Sequence, residues 1–292
     1  VGKDGVLQMK LSIIAPDTTD ACAIYRAHPW AKLGVETEFY SGKLGFQLWQ
    51  AVISADVVLL QRPWTVQNVN IARTVKDAGK KLLLDYDDDL SCLPAWNPNA
   101  HHFKGCLPHL HTLCSLADAV TVATPALAQA AAAWGASRIA VVPNAIDDGM
   151  RGIVRHPRNP IMLWRGSGTH SADLEEGRAY LTEMNKTHEI VFMGDKPAWA
   201  YTLRHRHFGV TDYVNYLTTM ATLAPDIVAI PLVDHPFNLA KSDVGAIEAA
   251  LIGAKLWHNG VGEFRQHAVN EIPNIRWLSD VNYLRSEVLN SL

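Results

Sequence analysis

The sequence predicts an α/β protein of two Rossmann-like domains, each a mostly parallel sheet wrapped by helices, and three observations predict it. Short runs rich in Val, Ile and Leu alternate with stretches of helical length, the pattern of strands covered on both faces of a parallel sheet. The alternation is broken once, by GMRGIVRHPRNP at 149–160, whose Pro, Gly and Arg content is that of a linker. The 292 residues, 48% of them hydrophobic, supply cores for two domains of ordinary size. These features divide the chain into 1–151, 152–279 and a terminal amphipathic helix, 280–292.

Composition weighs against some partners without excluding them. Lys and Arg total 26 against 29 Asp and Glu, a formal charge of -3, so there is no electrostatic footprint for nucleic acid. Cys22, Cys92, Cys106 and Cys114 lack the paired spacing of a metal site and fit a reduced, cytoplasmic setting. No signal peptide or apolar run of membrane-spanning length is read.

Residues before Met9 are expected to precede the fold. From there KLSIIAP, VETEFY, DVVLLQR, KLLLDYD, AVTVATP and IAVVPNA read as six strands. The first runs into APDTTDACAIYRA, where Tyr25 and Arg26 face either a ligand or the outer side of a helix. The fourth ends in the acidic cluster Asp85, Asp87, Asp88 and Asp89. Carboxylates at a strand's carboxyl end can bind hydroxyls, act as a base or hold a divalent cation, yet side chains alternate along an extended segment and do not all point one way. Asp87 and Asp88 are the acceptor-side candidates, with His101 and His102 in the following loop. A metal role for the histidines is disfavoured because His109 and His111 lie two apart, not four.

The second domain opens with IMLWRGSGTHSADL, a strand, a turn and a helix. Gly166 and Gly168 flank Ser167 and let backbone N–H groups approach a phosphate, with Arg165 beside them as a charged clamp. Strands are expected at EIVFMGD, VTDYVN, DIVAIPL and AKLWHNG. After DIVAIPL comes a polar loop with Asp234, His235 and Asn238, then an Ala-rich helix ending at Gly253. Lys241 is read in or near that helix's first turn. The helix dipole disfavours a cation there by roughly 0.3–1 kcal/mol, so its placement implies an external anion. Glu248, two turns on, shares its face while Val244, Ile247 and Leu251 pack inward. The alternative is an amphipathic helix with solvated Lys and Glu.

Two motifs carry a resemblance. PLVDHPFNLAKSD at 231–243, followed by Glu248, and Trp164, Gly166, Ser167, Thr169, His170, Asp173 and Leu174 are similar to the retaining GT-B glycosyltransferases, the family of sucrose synthases and lipopolysaccharide sugar transferases. The likeness is to a short bacterial and phage subgroup. It implies two domains facing a cleft, with the terminal helix crossing back to the first. It implies a nucleoside diphosphate-sugar donor, UDP-sugar favoured, no tightly bound cofactor and no metal. Lys241 and Arg165 would neutralise the diphosphate, and Glu248 would hold the ribose. Asp234, Asn238 and Ser242 would meet the donor, and Tyr216 lies where the nucleobase is held. The family's first glutamate is Ala240 here, and alanines at Ala21 and Ala23 stand where glycines are common. The implied acceptor is a glycan, lipid-linked or small molecule. The alternatives are a hydroxymethylated pyrimidine base in phage DNA, placing the protein in the host cytoplasm, or a catalytically silent nucleotide-sugar-binding protein.

Overall fold

The structure, a computed structural model, describes residues 9–41 and 47–292. The expectation for the first eight residues therefore lies outside the described residues. The chain forms two units. The first comprises Val1–Ser91, Phe103–Asn144 and Leu278–Leu292, and the second Cys92–His102 and Ala145–Trp277.

In the first unit, β1 (Lys10–Ala15), β2 (Glu36–Ser41), β3 (Val57–Gln61), β4 (Lys81–Tyr86), β5 (Ala119–Val122) and β6 (Ile139–Val141) make a parallel sheet in the order β2-β1-β3-β4-β5-β6. All six expected strands are present. Register sets Ile13 opposite Leu59 and Leu59 opposite Leu83, so the two-residue period builds one apolar row across three strands. On that row pack Ala23, Ala27 and Trp30, and also Val288 and Leu289 of the helix Leu278–Asn290. The terminal helix thus returns to the first unit, as expected.

In the second unit, β7 (Asn159–Gly166), β8 (Glu189–Gly194), β9 (His205–Phe208), β10 (Pro225–Ile230) and β11 (Lys255–His258) are parallel in the order β11-β10-β7-β8-β9. One expected strand is corrected. VTDYVN holds the start of the helix Tyr213–Leu223, because the Asp212 side chain accepts from the Asn215 N–H at 3.0 Å and caps it. Leu217, Met220 and Ala221 then recur at helical spacing on its buried side. The sheet edge is supplied by HRHF instead, with His205 opposite Ile190.

The helix expected after the 231–240 loop is also corrected. It is two pieces, Pro236–Leu239 and Val244–Ile252, with Lys241 in the connection between them. Among the described residues no helix is long and apolar enough to cross a membrane.

Candidate functional sites at the sheet ends

At the end of β7 in the second unit the chain turns through Arg165 to His170. The β7–β8 contact there is close. Gly194 has φ +102°, and a Cβ on it would lie 2.2 Å from the Gly166 carbonyl oxygen, so only glycine fits. The Gly166 carbonyl accepts from the Asp195 N–H at 2.8 Å, which fixes the start of the turn. Ser167 is exposed, its hydroxyl 2.7 Å from that of Thr169.

Asp173, 2% exposed, holds this turn to the loop after β10. Its Oδ1 accepts from the Val233 N–H at 2.8 Å and from Asn238 Nδ2 at 2.7 Å, while its Oδ2 bonds His170 Nδ1 at 2.8 Å. Asn238 also donates to the Val233 carbonyl, at 3.0 Å. Its amide is therefore engaged in holding the loop. Burial pushes the His170 imidazole below its ordinary value, against the Asp173 bond, and the Lys241 and Arg165 charges add to the lowering. Both cations thus lie within electrostatic reach of His170.

Glu248 corrects the expectation of a shared outer face with Lys241. The helix Val244–Ile252 is buried from Gly245 onward, and Glu248 is 2% exposed. Its Oε2 accepts from Arg165 Nη2 at 2.8 Å and from the Tyr216 hydroxyl at 2.7 Å. Burial, with Glu248 adding and Arg165 opposing, holds the Tyr216 phenol well above its ordinary value, so it remains a donor. The helix can come this close because Gly245 lacks a side chain: a Cβ there would be 2.9 Å from Ile230 Cδ1 and 3.3 Å from Arg165 Nη2.

Lys241 is half-buried, its Nζ 4.4 Å from the Phe237 ring centre, and Ser242 beside it is half-buried too. Asp234 is exposed. Asp243 anchors the segment, bonded by Arg276 Nη1 and Nη2 at 3.0 and 2.9 Å and by His267 Nε2 at 3.0 Å. Sequence reasoning passed over this anchor and Trp96, whose ring meets that of His235 edge-on at 5.0 Å.

In the first unit, the acids at the end of β4 divide their work. Asp85, 1% exposed, accepts from Arg26 Nε and Nη2 at 3.0 and 2.6 Å and from Thr121 Oγ1 at 2.6 Å. Asp89 accepts from the Ser91 N–H and hydroxyl at 3.0 and 2.6 Å. Asp87 and Asp88 are gathered by Arg62: Nε and Nη2 bond Asp87 at 2.7 Å each, and Nη2 reaches Asp88 at 3.1 Å. Burial works against the Arg62 charge, but these carboxylates outweigh it and hold its pKa well above the ordinary value.

The structure corrects the expectation for Tyr25 and Arg26, which are 5% and 1% exposed. Arg26 is a buried strut, donating also to Asn144 Oδ1 at 3.1 Å. Arg62 was missed in the sequence, although QRPWT after an apolar strand carries its signal: a cation, a Pro and a helix-capping Thr at a carboxyl end. His101 and His102 are exposed in the Cys92–His102 segment of the second unit, rings 3.7 Å apart. Among the described residues no group of three or more His, Cys, Asp or Glu is placed to hold a metal ion.

This architecture recurs in solved structures. One is Anabaena Alr3699/HepE in complex with UDP, at TM-score 0.57 and 16% identity, covering 97% of this chain and 91% of that one. The same protein in complex with UDP and glucose gives TM-score 0.59 and 15% identity, covering 97% and 89%. AviGT4, a glycosyltransferase involved in avilamycin A biosynthesis, gives 0.54 and 12%, covering 95% and 88%. The chain has the GT-B fold. No family model and no curated protein matches the sequence, so at these identities the likeness establishes the fold alone.

Proposed function

We propose that the protein is a glycosyltransferase that moves a sugar from a nucleoside diphosphate-sugar, UDP-sugar being favoured by the UDP-bound relatives of its fold, to an acceptor hydroxyl. The observation that carries this reading is the turn that begins at Arg165, which Asp173 ties to the loop leading to Lys241, with Glu248 and Tyr216 bonded behind Arg165. The second unit would take the donor and the first the acceptor.

In this reading Arg165 and Lys241 stabilise charge as it develops on the departing diphosphate, a term available without a metal ion. Glu248 positions the Arg165 guanidinium, and Asn238 positions the 233–238 loop through Asp173. The bond between the anomeric carbon and the phosphate oxygen breaks as the bond to the acceptor oxygen forms. With retention, the acceptor proton passes to the leaving diphosphate. We place this activity in the cytoplasm, consistent with four free cysteines among the described residues.

A thermal-shift screen with UDP, GDP, ADP and their sugars tests the donor site. Ligand at about 100 times its dissociation constant stabilises a single site by roughly 2.7 kcal/mol. A shift with UDP that is lost in Lys241→Ala is expected; no shift with any nucleotide would remove the donor reading.

A further inference from the structure

In the first unit the chain passes from β1 to β2 on one side of the sheet and then to β3 on the other side of β1. The gap between the carboxyl ends of β1 and β3 is therefore a topological switch point, where open α/β sheets bind ligands. A cavity of about 230 Å³ lies there, lined by Ala15 and Pro16 after β1, Leu60 and Arg62 of the β3 end, and Trp64 and Asn68 beyond.

The wall of this cavity is built under strain. Arg62 has φ +50°, a left-handed conformation that is strained for a non-glycine residue and kept only where surroundings over-determine it. They do so here. The Arg62 N–H donates to the Asp85 carbonyl at 2.7 Å, the Tyr86 hydroxyl donates to the Pro63 carbonyl at 2.9 Å, and Asn68 Oδ1 accepts from the Trp64 and Thr65 N–H groups at 3.0 Å each. The result presents a half-buried Trp64, propped at 4.5 Å on Phe103, as an aromatic face beside the Arg62 guanidinium and the Asn68 amide.

Local charge selects the ligand. Arg62 is bonded to both Asp87 and Asp88, and Asp20 lies within its electrostatic reach. Arg26 is held by Asp85, and its charge also reaches Asp87. Arg62, the charged residue of the lining, is thus already paired, and Arg62 and Arg26 together face four carboxylates, Asp20, Asp85, Asp87 and Asp88, a local excess of negative charge that disfavours phosphate, carboxylate and the nucleic acid backbone. An aromatic wall with polar neighbours, at a volume for one ring, suits a neutral ring bearing hydroxyls.

We propose that this crevice binds a neutral sugar ring stacked on Trp64 and that, granted the glycosyl-transfer reading, it is the acceptor pocket. The acceptor is then an unphosphorylated saccharide end, not DNA. The test is saturation-transfer NMR on the whole chain. The probes are methyl glycosides of glucose, galactose, mannose and N-acetylglucosamine, each set against the corresponding sugar 6-phosphate, with UDP thermal shift run in parallel. At least one glycoside is expected to bind more tightly than its phosphate, to weaken about three- to ten-fold in Trp64→Ala and Trp64→Leu, and to recover in Trp64→Phe. The UDP shift should be the same in all four proteins. No glycoside binding while the UDP shift persists, or a phosphate bound more tightly than its parent sugar, overturns the pocket. Trp64-dependent glycoside binding without a UDP shift overturns the donor reading and leaves the pocket standing.

Discussion

Glu248 shows how far a side chain's role depends on what surrounds it. Taking its carboxylate out of water costs several kcal/mol, which the Arg165 ion pair and the Tyr216 hydroxyl offset. Glu248→Ala should therefore lower the unfolding free energy by about 3 kcal/mol, at the low end for a broken buried pair because the Arg165 side chain is 23% exposed. Urea unfolding measures this, and a change below about 0.5 kcal/mol would contradict the pairing. His170 and His258 make a second prediction. Burial is the main cause holding both below the ordinary histidine value. As pH falls the unfolded chain takes their protons first. Their contribution is thus complete above about pH 6.5 and is lost as pH falls through that value toward the folded ones, by up to about 1.4 kcal/mol per pH unit for each. Melting curves from pH 7.5 to 5 should show the decline, with a shallower one in His258→Gln; identical slopes would refute it. At this scale the sequence supplied residue types and missed partners: Arg165, Glu248 and Lys241 stand out as charges, but nothing local shows that Arg165 is bonded to Glu248.

Elements were legible where a single period governs them. Strands buried on both faces read as unbroken apolar runs, and ten of the eleven expected strand segments are strands. VTDYVN failed because its β-branched residues sit beside a capping Asp, and the cap with the Leu217 and Met220 contacts decided the conformation. The β7–β8 approach leads to a sharper test. Gly194→Ala adds a methyl into the Gly166 carbonyl at a positive φ, so a loss above about 4 kcal/mol, seen as insoluble or unfolded protein, is expected. Gly209→Ala is the control, since its methyl would meet nothing within 4 Å and should change the melting temperature little. A stable Gly194→Ala would mean that the two strand ends can separate.

For the molecule as a whole, the terminal helix completes the first unit's core through Val288 and Leu289 and brings Arg285 with it. That guanidinium is 1% exposed, and burial, with Arg26 adding and Asp85 opposing, pulls its pKa down to about 9. Its Nε and Nη2 have no hydrogen-bond partner among the described residues, and Nη1 reaches only Asn282, at 3.4 Å. Arg285→Met, which keeps the bulk and removes the charge, should raise stability by about 1–4 kcal/mol, visible as a higher melting temperature. A fall would show that the charge is compensated. The sequence by itself determined the alternation of strands and helices and the parallel sheets, because backbone geometry imposes periods of two and 3.6 that any local window displays. Only the tertiary structure decided that Arg26 bonds Asp85, 59 residues away, that Asn238 bonds Asp173, 65 residues away, and that Arg62 gathers Asp87 and Asp88. Those pairings are set by where the chain's turns deliver two side chains in space, and no local period encodes that distance.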